Sequence, residues 1–198
     1  MEIKNSAKGM FVVVIGPSGV GKNTMASMLM DKHPDMIFSV SATTRKIRGD
    51  EVDGVNYYYL SEEDFKNKIK NDEFVEWAIY ADNYYGTLKK PIFDAINSDK
   101  IIIADIEYQG LLQMNKLLPS KNIVSIFLLP PSDDVLIKRL KARTNISDIA
   151  VKNRIAAIKG ELVYSDVATV KFEPIDGDID GSFEKFDELA NKYIFNNI

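Results

Sequence analysis

The sequence predicts an α/β fold, a parallel sheet wound by helices on both faces, and three observations carry that expectation. Five short apolar runs rich in β-branched or aromatic residues recur: Phe11–Ile15, Ile37–Val40, Ile101–Ile106, Ile123–Leu129 and Val167–Phe172. Most are continuous rather than alternating, as strands covered on both faces read. Helix-like stretches separate them, and the first run leads into a glycine-rich loop followed by a helical pattern.

Taken in order, Phe11–Ile15 opens the sheet. Gly21–Lys32 follows with Met25, Met28 and Leu29 at helical spacing, so its methionines are packing residues. His33, just before Pro34, is read as a helix-end residue without a catalytic role. The stretch 41–96 then breaks the rhythm and is read as an inserted lobe. Tyr57-Tyr58-Tyr59-Leu60 and Phe74–Tyr80 look like extra aromatic strands, and Ser61-Glu62-Glu63-Asp64 opens a helix in capping-box style, with Phe65 and Ile69 four apart. After Ile123–Leu129, where Pro130-Pro131 ends a strand, helices are expected at Asp133–Ala142, Ser147–Tyr164 and Phe183–Phe195. The polar, arginine-bearing stretch around Thr144-Asn145-Ile146-Ser147 suits a lid. The expected division of the single domain is a core of 9–40, 97–132 and 158–198, a lobe at 41–96 and a lid at 133–157.

Composition narrows the function. With 198 residues, 45% of them hydrophobic and 27% charged, the chain is an ordinary globular protein that needs no staple. The absence of cysteine excludes a disulfide framework, a zinc ribbon, an iron–sulfur site and a thiol nucleophile, and a single histidine leaves little room for a histidine-based metal site. A net charge of -4 disfavours nucleic acid as a partner. Residues 1–8 lack the apolar core of a signal peptide, and Met10–Ile15 is far short of the roughly 20 residues that span a bilayer. A cytoplasmic protein with no membrane partner is expected, and a monomer is favoured.

The chemistry begins at Gly16-Pro17-Ser18-Gly19-Val20-Gly21-Lys22-Asn23-Thr24. Glycines let the backbone form a nest of N–H groups at a helix start, and a lysine there reaches terminal phosphates, which makes the loop a nucleoside triphosphate cradle. The usual Mg²⁺-binding Ser or Thr directly after the lysine is replaced by Asn23, with Thr24 one residue later. Either the Asn23 amide oxygen or a metal held mainly by phosphates and water fits this pattern.

Further along come Ser41-Ala42-Thr43-Thr44-Arg45-Lys46-Ile47-Arg48-Gly49-Asp50-Glu51, Asp53-Gly54-Val55-Asn56-Tyr57, Glu76-Trp77, Asn83-Tyr84-Tyr85-Gly86-Thr87 and Asp105-Ile106-Glu107-Tyr108-Gln109-Gly110. Together with the loop and the later arginines, over about Phe11 to Tyr164, they resemble the guanylate kinase family, which phosphorylates GMP with ATP. The resemblance implies ATP on residues 16–24 with Mg²⁺ as cofactor, and GMP or dGMP held by Ser41, Arg45, Arg48, Glu51, Tyr57, Glu76, Tyr85, Gly86, Thr87, Asp105, Glu107, Gln109 and Gly110. It implies catalytic roles for Lys22, Arg45, Asp105, Arg139, Arg143 and Arg154, with Asp105 orienting the metal through water. The residue types agree. Paired arginines and tyrosine hydroxyls hold a phosphate by charge-assisted bonds. A carboxylate accepts from guanine N1–H and N2–H₂ together, while hydroxyls donate to O6. Trp77 is read as core packing.

Two other classes share these features: a catalytically inactive interaction module of the same fold, and a kinase for another small phosphorylated acceptor. Lys22, Arg45, Arg48 and Asp105 argue against the first, and Glu76 with Ser41 and Thr87 against the second. Near the C-terminus, Asp176-Gly177-Asp178-Ile179-Asp180-Gly181 has the opening spacing of a Ca²⁺ loop, with Asp187 at position twelve, although an acidic surface turn is the preferred reading. The same segment departs from the Asn-Asp-Asp-like stretch that the family usually has near its adenine pocket.

Overall fold

The computed structural model describes residues 2–17, 19–80, 82–106, 108–130, 132, 134, 135, 137, 138, 141 and 148–195, with backbone alone at 108, 109, 148–150, 152–154 and 157. Five strands hydrogen-bond in the order 37–38, 101–105, 10–15, 123–128 and 170–172, as an α/β sheet requires, and four more form a second sheet in the order 58–59, 42–43, 83–88 and 74–80. The chain divides into two compact units, 1–11 with 35–104 and 109–123, and 12–34 with 105–108 and 124–198.

The second unit carries the end of β1 (Met10–Ile15), α1 (Lys22–Lys32) and β8 (Ile123–Leu128). With them are α5 (Asp148–Leu162), β9 (Val170–Phe172) and α6 (Ile179–Tyr193). Every residue of β1 and β8 is buried, as their continuous apolar runs predict. Strand β8 pairs in parallel with β9, Ile126 opposite Val170 and Leu128 opposite Phe172. Expected as a strand from Val167, β9 begins at Val170, because 163–167 turn as a 3₁₀ helix. Helix α1 buries Met25, Ala26 and Leu29.

Helix α6 starts four residues earlier than the expected Phe183, because Asp178 caps it, accepting from the Gly181 N–H at 2.8 Å. The acidic stretch read as a candidate Ca²⁺ loop is therefore partly spent on capping. Its twelfth residue, Asp187, is buried and accepts from Lys32 Nζ at 2.8 Å and Asn191 Nδ2 at 2.9 Å, with His33 Nε2 at 3.0 Å. Burial pushes the Asp187 carboxyl up, but the hydrogen bonds from Lys32 and His33 more than offset it and hold it below its ordinary value. His33, which also stacks on Phe195, is thus a tie between α1 and α6. Among the described residues no acidic or histidine cluster is able to hold a metal ion.

In the first unit, β2 (Ile37–Phe38) pairs in parallel with β7 (Ile101–Asp105), whose last residue belongs to the other unit. Expected as a strand covered on both faces, β2 is a two-residue edge strand, and Ile37 and Phe38 are 37% and 43% exposed. The same unit contributes β3 (Ala42–Thr43), β4 (Tyr58–Tyr59), α2 (Glu62–Lys70), β5 (Phe74–Tyr80), β6 (Asn83–Leu88) and α3 (Lys89–Asn97). Beyond β7 runs α4 (Tyr108–Leu117). The Ser61 cap is present, its Oγ accepting from Asp64 N at 3.0 Å.

One irregularity decides what the four-stranded sheet presents on each side. Phe74 lies opposite Leu88, but Glu76 lies opposite Thr87, so β5 carries a bulge at Val75. Successive residues of β6 point to opposite faces, and the bulge therefore puts Phe74 and Glu76, two residues apart, on opposite sides of the sheet. Phe74 joins Ala42, Phe65, Ile69, Tyr84 and Leu88 in an apolar cluster, its ring 4.4 Å from that of Phe65. Glu76 and Thr87 face the other way. Trp77, opposite Gly86, shares the apolar side and lies 6.1 Å from Tyr84, at a rim that leaves it 37% exposed. No described helix is long and apolar enough to cross a membrane.

Candidate active site

Two groups of site residues are described, one in each unit. In the second unit, β1 ends at Ile15 and the chain turns at Gly16, where φ is 138° and a Cβ would lie 2.5 Å from the Leu128 carbonyl oxygen. Only glycine tolerates both constraints. Gly21, with φ 108°, caps α1 without a side chain and so gives the first-turn N–H groups no side-chain acceptor of its own. Lys22 curls back over this loop, its Nζ donating to the Gly16 carbonyl at 2.9 Å and the Pro17 carbonyl at 3.4 Å, with Asp105 Oδ1 at 3.7 Å. Asn23 and Thr24 are exposed in the first turn of α1. Asp105, at the carboxyl end of β7, stands where α/β sheets present ligand-binding side chains.

In the first unit, Thr43 is in register with Tyr59 on β4 and with Tyr85 on β6, which puts the three on one face of the sheet with Thr87 and Glu76. Tyr57 joins them, its ring 6.0 Å from those of Tyr59 and Tyr85. Over this rack lies Arg45, 9% exposed, its guanidinium carbon 5.3 Å from the Tyr57 ring centre and 5.8 Å from that of Tyr59.

Glu51 engages Arg45 as a two-pronged pair, Nη1 to Oε2 at 2.9 Å and Nη2 to Oε1 at 2.8 Å. Oε2 also accepts from the Arg48 N–H at 2.9 Å and the Tyr59 hydroxyl at 2.7 Å. The Arg45 bond, then the Tyr59 bond, bring the Glu51 carboxyl down to about 2, and Glu51 raises Arg45 still further above its ordinary value. A second Nη1 hydrogen goes to the Lys46 carbonyl at 2.8 Å. Of the five guanidinium N–H groups, Nε–H and one Nη2 hydrogen, which form the side edge of the fork, have no partner among the described residues. The Arg48 side chain is exposed nearby in sequence.

Glu76 is 8% exposed and accepts from the hydroxyl of the fully buried Thr87 at 2.5 Å. A carboxylate of this kind can answer adjacent donors on a base edge. The Thr87 hydroxyl, its one hydrogen given to Glu76, has none left for a base acceptor, and of the two hydroxyls expected near O6, Ser41, half-buried two residues before Thr43, is the one available to donate. Gly86 lies on the apolar side, where a Cβ would come within 2.9 Å of both the Glu76 carbonyl oxygen and Phe74 Cδ1. It keeps β5 and β6 close. Gly110 is buried in α4.

Ser18, Glu107, Arg139 and Arg143 lie outside the described residues, and Gln109 and Arg154 are described by backbone alone. Sequence reasoning missed the part of Tyr59. The signal was its two-residue spacing from Tyr57, which places both rings on one face of a strand.

A glycine-bent loop between a buried strand and a helix, with a lysine folded over it, defines a P-loop nucleotide-binding protein of the α/β class. The guanylate kinase family model matches residues 8–189. A guanylate kinase of Synechocystis sp. is 38% identical over 189 residues, 96% of this chain and 97% of its own. The Mycoplasma genitalium guanylate kinase is 42% identical over 84% of this chain and 68% of its own, and that of Carboxydothermus hydrogenoformans 45% identical over 73% and 71%. The chain belongs to the guanylate kinase family. Its fold is also that of a solved guanylate kinase from Anaplasma phagocytophilum, with a TM-score of 0.72 at 24% identity over 96% of this chain and 88% of that one.

Proposed function

We propose that this chain transfers the γ-phosphoryl group of ATP to GMP, and to dGMP, giving ADP and the diphosphate. The observation that carries the guanine reading is the buried Glu76 carboxylate beside Thr87 on the face that also holds Tyr57, Tyr85 and Arg45. Guanine offers N1–H and N2–H₂ side by side to such a carboxylate, whereas adenine has an acceptor at N1 and no 2-amino group. Arg45, Arg48, Tyr57 and Tyr85 hold the acceptor's phosphate, and Glu51 serves them through Arg45, since a carboxylate has no hydrogen to give a phosphate oxygen.

Residues 16–24 cradle the donor. In-line transfer needs little covalent help from the protein, so catalysis is positioning and charge neutralisation. Lys22 releases the loop carbonyls for the terminal phosphates. Arg139, Arg143 and Arg154 supply further positive charge from the lid at 133–157, and the acceptor's lobe is 41–96. Among the described residues the donor end offers hard oxygens, from Asp105, Thr24 and Asn23, which suits Mg²⁺ held by one or two protein groups, phosphates and water. When bound, the metal would neutralise phosphate charge. Cytoplasmic purine nucleotide metabolism is the setting this activity fits. The curled Lys22 and the intact glycine turn favour a working site over an interaction module.

The test is ADP release from Mg²⁺·ATP with GMP, dGMP, AMP, CMP or UMP as acceptor. Turnover with GMP and dGMP and none with AMP is expected; equal turnover with AMP refutes the base assignment.

A further inference from the structure

The tie between Tyr59 and Glu51 is part of the phosphate grip. Glu51 Oε2 collects three donors, Arg45 Nη1, the Arg48 N–H and the Tyr59 hydroxyl, the last being the shortest at 2.7 Å. Arg45 is held at one end of its fork by both Glu51 oxygens and at its outer Nη1 hydrogen by the Lys46 carbonyl. Its plane is thereby fixed, and the only edge left for an anion among the described residues is the pair formed by Nε–H and the second Nη2 hydrogen. That pair has the spacing for two oxygens of one phosphate. A carboxylate free to rotate would let the fork swing and would compete with the phosphate for the same hydrogens. Tyr59 removes that freedom: Tyr59 N donates to Asp53 Oδ1 at 2.9 Å, its ring lies under the guanidinium, and its hydroxyl pins Oε2.

We infer that Tyr59 is a positioning residue for acceptor capture: through Glu51 it holds the guanidinium of Arg45 with its Nε–Nη2 edge presented to the acceptor's phosphate. This rests on Arg45 being the phosphate-holding group of the proposed reaction. The depression of Glu51, to which the Tyr59 bond contributes second after Arg45, agrees with the geometry.

Tyr59→Phe removes the hydroxyl and keeps the ring. The full chain carrying it should show a KM for GMP raised about three- to tenfold, within the span of one ordinary net hydrogen bond because Tyr59 acts on the phosphate only through its partners, with kcat and the KM for ATP within twofold of the unaltered chain. Calorimetric titration should give the same loss for GMP but none for guanosine, which has the guanine and no phosphate. In a Glu51→Ala background the Tyr59→Phe effect should disappear, because the acceptor it acts through is gone. An unchanged KM for GMP overturns the inference, as does an equal loss of guanosine or ATP affinity, which would make Tyr59 a general support of the lobe. Absence of GMP-dependent turnover by the unaltered chain refutes the kinase reading and this inference with it, whereas turnover with a Tyr59→Phe variant that behaves as the unaltered chain refutes the inference alone.

Discussion

Glu76→Gln tests the base assignment at the atom that carries it. The Glu76 carboxylate already accepts one short hydrogen bond from Thr87, and with Thr87 fully buried and Glu76 8% exposed neither group has ready recourse to water. Glutamine keeps one acceptor oxygen and replaces the other with a donor. If that oxygen stays on Thr87, an NH₂ group meets the guanine donors; if it turns to guanine, one of two base contacts is still lost. A hydrogen bond to a charged partner is worth about 1.5–3 kcal/mol, so kcat/KM for GMP should fall about 10- to 150-fold. The assay is coupled ADP release with GMP and with IMP, whose base keeps N1–H and O6 but lacks the 2-amino group. The unaltered chain should prefer GMP, and Glu76→Gln should narrow that preference because the variant has lost what reads the 2-amino group. A variant within threefold of the original on GMP, or one with the same GMP-to-IMP ratio, refutes the assignment.

Three further outcomes follow from the same geometry. Lys22→Ala should lower kcat by about 10²-fold or more while leaving the KM for GMP within threefold, since Lys22 acts on the transferring charge; single-turnover and steady-state kinetics check it. Asp187→Asn weakens the tie to Lys32 and His33 and should cost about 2 kcal/mol, a fall in Tm of about 4–8 °C for a chain of this length, read by thermal unfolding at neutral pH. Glu51, lowered in the folded chain from 4.5 to about 2, contributes stability that is complete above pH 4.5 and is lost as pH falls toward 2. The Tm difference between the unaltered chain and Glu51→Gln should therefore be flat above pH 4.5 and shrink below it, and a difference that instead shrinks toward alkaline pH refutes the sign.

How far the sequence could be read depended on whether a feature is local or made by pairing. The phosphate loop is contiguous, and its glycines, lysine and following helix stand in the order in which they act, so it was legible. So were β1 and β8, where burial on both faces leaves an unbroken apolar run. Ile37 and Phe38 have the same composition, yet they form an exposed edge strand, because strand order in a sheet is set by long-range hydrogen bonds that a local window does not contain. The acidic segment at 176–181 reads as a turn in sequence because the cap at Asp178 and a glycine inside the first turn of α6 mask the helix start. The acceptor side is the harder case. Alternation along Phe74–Tyr80 puts Phe74 and Glu76 on one face, and only the slip in pairing with β6 separates them, so without the bulge Glu76 would point toward Phe65 and the apolar cluster. Resemblance found Glu76, but the physical reason that it faces Thr87 exists only once β5 and β6 are paired. Tyr59 lies further still from the reach of sequence, since its importance comes from a carboxylate eight residues earlier that itself acts on Arg45. Contiguous chemistry can be read from a motif; chemistry relayed through two partners becomes visible only when the register that assembles them is known.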